Sequence, residues 1–165
     1  MPFADDLLEQ ARHLANREPK RPRQASLRRA VSAAYYALFH LLTTETAKNW
    51  KRAAERPIVA RMLDHARMEQ VCKNKRNDLN EYFKARPPAS RQREVAEHLH
   101  VITQAFVIML EHRHAADYDN ARKWTRTDTL EKIESVEAAF LSWRKIREED
   151  DTQNFLATLL LKGRR

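Results

Sequence analysis

Residues 27–42 read LRRAVSAAYYALFHLL, and the fold class turns on this stretch. Leu27, Val31, Ala34, Leu38 and Leu41 recur at spacings of four, three, four and three, the pattern of a helix seam buried against other helices. A second strip runs beside the first. Arg29, Ser32, Tyr36, His40 and Thr43 lie three, four, four and three apart, so they stack along one line of the same helix. The helix is expected over residues 24–48, with its polar groups aligned rather than scattered.

The chain around it supports the same class. Its 165 residues contain one glycine, whereas sheets rely on glycine-rich hairpin turns that helices with short connections do not need. The sequence therefore predicts an all-α protein: a single domain over residues 1–165, built as an up-and-down helical bundle of about five helices plus a short C-terminal helix. A first helix is expected over residues 5–16, with Leu7, Ala11 and Leu14 on one face and Asp5 and Asp6 at its positive end. Pro19 and Pro22 break the pattern in a basic loop near residues 17–24.

Pro57 is placed to open a third helix to about residue 73, with Val59, Leu63 and Ala66 on one side and Met62, His65, Glu69 and Cys72 on the other. A basic loop follows over residues 73–93, where Lys73, Lys75, Arg76, Lys84, Arg86, Arg91 and Arg93 surround Tyr82 and Phe83. Such a mixture either holds a phosphate backbone and stacks a base, or solvates a surface while its aromatics anchor the loop. The fourth helix, residues 90–118, carries one seam of Val95, Leu99, Ile102, Phe106 and Met109, and a second of Val101, Ala105 and Ile108. A fifth begins with Asp128 as N-cap and Glu131 three residues on, and buries Leu130, Ile133, Val136, Phe140 and Trp143. In the last segment Phe155, Leu156, Leu159 and Leu160 either close the bundle or dock on a second subunit, and Gly163 ends the helix.

Lys plus Arg number 31 against 23 Asp plus Glu, a net charge of +8, with a pI near 9.9. That balance attracts polyanions at low salt. Cys72 stands alone, so no intramolecular disulfide and no cysteine zinc cluster is expected. No apolar run approaches a membrane span, and the start MPFADDLLEQ has no basic leader. A cytoplasmic protein with no cofactor and no membrane partner is expected.

Extending the main seam of the fourth helix by four and then three positions reaches Arg113 and Ala116. A guanidinium then falls where the pattern calls for a core residue, and it needs an acid or a hydrogen-bonded network. Asp117 is the nearest candidate and Asp119 the second. The polar strip of the second helix is expected to face inward and meet this pair. His40 or His114 would supply a group titrating near neutrality, and Arg113 a fixed cation for phosphate. The opposing reading is a purely structural network of Tyr36, His40, Arg113 and Asp117. A metal site from His112, His114, Asp117 and Asp119 is not expected, because histidines two apart on a helix point in different directions.

Two motifs together resemble the HEPN family. Ala34, Tyr35, Tyr36, Ala37, Phe39 and His40 match its A-Y-Y-A-x-F-H helix, and Arg113, Ala116, Asp117 and Tyr118 match its R-x-x-A-D-Y signature. The resemblance spans residues 27–143. It implies a helical bundle, a homodimer, and either RNA- or nucleotide-directed function or pairing with an antitoxin or nucleotidyltransferase partner. Active members of the family are metal-independent ribonucleases with an R-x4-6-H motif. Here Arg113 is followed directly by His114, and the distal histidine position is taken by the segment Asp117, Tyr118, Asp119. Arg93 and His98 have the spacing, but at the beginning of the helix. The residues expected at the site are thus His40, Arg113 and His114 for catalysis, and Arg29, Ser32, Tyr36, Asp117 and Tyr118 for binding.

Overall fold

The computed structural model describes residues 2–161. Among them are seven α-helices and no strand: α1 (Phe3–Ala15), α2 (Gln24–Lys48), α3 (Arg56–Arg61), α4 (His65–Lys84), α5 (Arg91–Tyr118), α6 (Arg126–Ile146) and α7 (Asp150–Leu160), with a 3-10 turn at Ala53–Glu55 before α3. The helix stop expected at Gly163 lies outside the described residues.

Cross-helix pairs give the directions. Asp5 meets Arg144 and Arg12 meets Glu137, so α1 and α6 run antiparallel. Ser32 lies by Asp117 and Tyr36 by Arg113, which makes α2 antiparallel to α5. Arg76 with Gln104 and Asn80 with His100 do the same for α4 and α5. Helices α2 and α6 run parallel, since Gln24 binds the Trp124 backbone ahead of α6 and Glu45 pairs with Arg147 just beyond it.

Helix α2 is the hub, packed against α1, α5 and α6. Its run of Ala30, Ala33, Ala34 and Ala37 is buried; small side chains let several helices approach one axis closely. Leu27, Val31, Ala34 and Leu38 are fully buried, as are Ile102, Phe106 and Met109 of the α5 seam. Each large apolar side chain so placed contributes about 1.5–3 kcal/mol relative to exposure. In α7, Phe155, Leu156 and Leu159 are buried within the chain itself, and so close the bundle.

Several boundaries differ from the sequence expectation. The expected third helix is two elements: α3 ends at Arg61, and Asp64 caps α4 by accepting the Arg67 backbone N–H at 2.8 Å. Helix α4 runs on to Lys84, so Lys73, Lys75, Arg76, Lys84, Tyr82 and Phe83 stand on a helix and the basic loop shrinks to residues 85–90. The apolar side continues through Met68, Cys72, Leu79 and Phe83, with Arg76 standing at an otherwise apolar position and bonded to Gln104. Arg86, just past the helix, has φ 50°, a left-handed conformation usually given to glycine.

At α6 the N-cap is Thr125, which accepts the Asp128 N–H at 3.0 Å. Asp128 is therefore the third residue of the helix and not its cap. The second α5 seam is only partial: Ala105 is buried, but Val101 is exposed, and Ala96, Thr103, Val107 and Leu110 fill that side instead. Met68 is packed in the core, whereas Met62 is exposed.

Candidate functional site

The C-terminal end of α5, the polar strip of α2 and the first turn of α4 converge. Arg113 is the centre. Its Nε donates to Asp117 Oδ2 at 3.0 Å, and its Nη2 donates to Tyr36 Oη at 2.9 Å. The Asp117 carboxylate also lies 3.5 Å from Ser32 Oγ, at the limit of a hydrogen bond. The guanidinium carbon sits 5.2 Å from the Tyr36 ring centroid and 6.0 Å from that of Tyr35, within cation–π range. The Arg113 side chain is 16% exposed and that of Asp117 25%. Among the described residues, Arg113 Nη1 has no protein acceptor.

The sequence pattern did not single out His65. It occupies the first position of α4, where the Asp64 cap aims it back at α2. Its Nδ1 is 2.6 Å from Tyr35 Oη, and its ring stacks on Phe39 with centroids 4.1 Å apart and planes 21° from parallel. Burial pushes its pKa down, and the nearby positive charge of Arg113 and the imidazoles of His114 and His40 lower it further against a smaller upward pull from Asp64. The ring is thus neutral at pH 7. Burial drives the Tyr35 phenol well above its ordinary range, so the partner is a protonated hydroxyl. Nδ1 is the bonded nitrogen, and Nε2 has no protein partner yet is not sealed from solvent. A signal was available in the sequence: Asp64 followed by a run with Met68 and Cys72 at helical spacing marks a fresh N-terminus, which redirects His65.

The other expected site residues fall as follows. His40 lies on the strip with its ring against Phe3, centroids 4.9 Å apart, and its pKa is lowered by burial. Its ring nitrogens have no protein partner among the described residues. Arg29, Ser32, Tyr36 and His40 line one wall of a groove of about 450 Å³, and Phe3 and Leu7 of α1 line the other. Arg29 is exposed and has no ion-pair partner among the described residues. His114 is exposed, with its ring 6.4 Å from that of Tyr118, itself 73% exposed. Thr43, the last of the strip, is buried and bonds the His40 carbonyl, outside the groove.

Away from this cluster, the expected RNA-contact group is dispersed along α4. Lys73 pairs with Glu69 and Lys84 with Glu81, each within the helix. Tyr82 and Phe83 pack partly against the core, and Phe83 meets the His100 ring edge-on. Of the basic group, Lys75 and Arg86 have no side-chain partner among the described residues. Arg93 binds Glu97 and the Pro87 carbonyl, and His98 binds Ser142 Oγ at 3.0 Å, so both are engaged in holding the bundle. No grouping of three metal-binding side chains occurs among the described residues. No helix among them is long and apolar enough to cross a membrane.

No protein-family model, no curated protein and no solved structure matches the chain. The functional reading therefore rests on the cluster itself. Chemically it offers an oriented guanidinium with one unengaged nitrogen, a second arginine on the groove wall and imidazoles held neutral by burial. Such a set suits anion recognition and proton transfer in a phosphoester ligand.

Proposed function

We propose that this chain is a HEPN-like protein that engages RNA or a nucleotide through phosphate, either as a toxin-type metal-independent ribonuclease or as a degenerate relative that binds without cleaving. The observation that carries the reading is Arg113, held by Asp117 and by Tyr36, which itself lines a groove with Arg29, Ser32 and His40. A guanidinium fixed by two neighbours loses little freedom on meeting a phosphate oxygen. The +8 net charge assists encounter with a polyanion.

The test is binding and cleavage of a mixed RNA pool at low salt by wild type, Arg113→Ala and Arg29→Ala, each first checked for folding. Arg29→Ala is expected to weaken binding and to flatten the slope of log affinity against log salt by about 1, the signature of one lost phosphate contact. Equal binding by all three proteins refutes the site.

A second reading, an interaction module serving a nucleotidyltransferase or antitoxin partner, draws on a different observation. Trp50, Ile58 and Met62 are 45%, 59% and 64% exposed and line one apolar groove beside α3. This reading expects a stable complex with such a partner and no RNA turnover. A homodimer fits either reading, and sedimentation equilibrium tests it.

A further inference from the structure

The imidazole best placed to work with Arg113 is on neither of the helices that carry the two motifs. We propose that His65 of α4 is the proton-accepting group of the site, acting on the ribose 2′-hydroxyl of a bound RNA strand, with Tyr35 as the residue that positions it. The inference rests on the RNA-directed reading above and assigns the chemistry to one residue within it.

Three candidates compete for this role. His114 is on the exposed face of α5, and no hydrogen bond fixes its ring among the described residues. His40 lies against Phe3 but has no polar partner to set its tautomer. His65 alone is held at both levels that general base catalysis needs: its plane is fixed by the Phe39 stack at 4.1 Å, and its Nδ1 by Tyr35 Oη at 2.6 Å. The reactive tautomer carries its proton on Nδ1, which donates to Tyr35 Oη, and this leaves the lone pair of Nε2, the nitrogen that has no protein partner, to accept the substrate proton. Tyr35 Oη thus accepts from Nδ1 in the neutral ring and in the imidazolium alike.

The charged and titratable groups facing His65 come from two helices and from its own cap. Arg113 and His114 of α5 and His40 of α2 oppose its protonation, while Asp64, its own N-cap, favours it. Burial, the largest influence, and these charges together keep a free base at neutral pH, as proton abstraction requires.

The step is balanced without a metal or co-reactant. His65 accepts the 2′-hydroxyl proton as O2′ bonds to phosphorus and the bond from phosphorus to O5′ breaks. The products are a 2′,3′-cyclic phosphate and a 5′-hydroxyl, whose oxygen takes its proton from water while His65 returns its own to solvent. Arg113 Nη1 is available to a non-bridging oxygen throughout.

The experiment measures cleavage of a fluorescent RNA oligonucleotide between pH 5 and 8, and binding of its 2′-deoxy analogue, by the full chain. His65→Asn is expected to lose about 100-fold or more in rate while binding the analogue as wild type does. His40→Asn, in the groove wall, and His114→Asn are expected to leave the acid limb of the rate profile where wild type has it. Tyr35→Phe keeps the imidazole and removes its partner, and so covers the case in which His65→Asn does not fold. Loss of the oxygen that accepts from Nδ1–H, a bond stronger to the imidazolium than to the neutral ring, lowers the His65 pKa, so the acid limb of the rate profile moves to lower pH, and the plateau rate falls because the tautomer is no longer fixed.

Cleavage that survives in folded His65→Asn, or an acid limb unmoved in Tyr35→Phe, overturns the assignment and leaves the RNA reading standing. A wild type that binds the analogue but cleaves nothing overturns proton transfer alone. A wild type that neither binds nor cleaves overturns the RNA reading and this inference with it.

Discussion

Replacing Arg113 by alanine removes a charge-assisted hydrogen bond to Asp117, a second to Tyr36, and a cation packed over two tyrosine rings. Hydrogen bonds to charged groups contribute about 1.5–3 kcal/mol where both partners are buried, and a cation–π contact adds about 0.5–1 kcal/mol. The Asp117 side chain is 25% exposed, however, so water takes over part of its solvation once the guanidinium is gone. The expected cost is about 2 kcal/mol, below the roughly 3–5 kcal/mol of a pair sealed from solvent. Asp117→Ala is expected to cost less, about 1 kcal/mol, because Arg113 keeps Tyr36. Arg113→Lys falls between, since an ammonium is a point charge and does not span two acceptors as a planar fork does. Urea unfolding at pH 7 followed by far-ultraviolet circular dichroism gives each value from the midpoint at constant m, and the thermal midpoint should fall by about 4–8 °C for Arg113→Ala. The reasoning is refuted if Arg113→Ala lies within about 0.5 kcal/mol of wild type, or if Asp117→Ala costs more than Arg113→Ala.

Other substitutions test separate parts of the fold. Arg86→Gly should stabilise the protein by about 1 kcal/mol in the same urea assay, because glycine adopts φ 50° without the clash of a Cβ; a loss of stability contradicts the left-handed turn. Arg28→Ala should cost about 2 kcal/mol, since Arg28 donates to the carbonyl of Ala116 at the C-terminal end of α5 and to that of Arg122 in the loop beyond it; an unchanged midpoint refutes it. Stability should also fall from pH 7.5 to 5.5. His40, His65 and His112 all have folded pKa values lowered from 6.5 by burial, so the unfolded chain takes up protons first as pH drops through 6.5, and the stability present above that value is lost on the way down to each folded value. Urea midpoints at the two pH values check it, and a midpoint that is flat or rises on acidification contradicts it.

The helical class was legible because every long helix carries its own seam, and because one glycine leaves few ways to build hairpins. Arg113 was legible for the same reason: a seam that runs unbroken from Val95 to Met109 makes the next interruption conspicuous. Its partner Asp117 followed from one helical turn, although arginine ahead of aspartate is the weaker order on a helix. His65 was hidden by the break at residues 62–64. Read as part of one helix beginning at Pro57, it shares a face with Met62, which is exposed; read from the Asp64 cap, it turns toward Tyr35 and Phe39. The extent of α4 was hidden by charge. Lys73, Lys75 and Arg76 gave the region the look of a loop, while the four apolar positions that bind it to α5 are widely spaced and one seam position is filled by Arg76 itself. Caps compete in the same way at α6, where Thr125 and Asp128 are both good cap residues and only the backbone decides between them.

Cys72 is the only cysteine in the chain, it sits fully buried in α4, and burial drives its thiol well above the ordinary range. Seven residues before it on the same helix is His65. The protein therefore carries a native chemical clock: an alkylating reagent can reach that sulfur only when α4 lifts away from α5, and the labelling rate, divided by that of a free thiol, measures how often the lift occurs. A ligand that draws His65, Tyr35 and Arg113 together should slow the clock, and one seated elsewhere should leave it running.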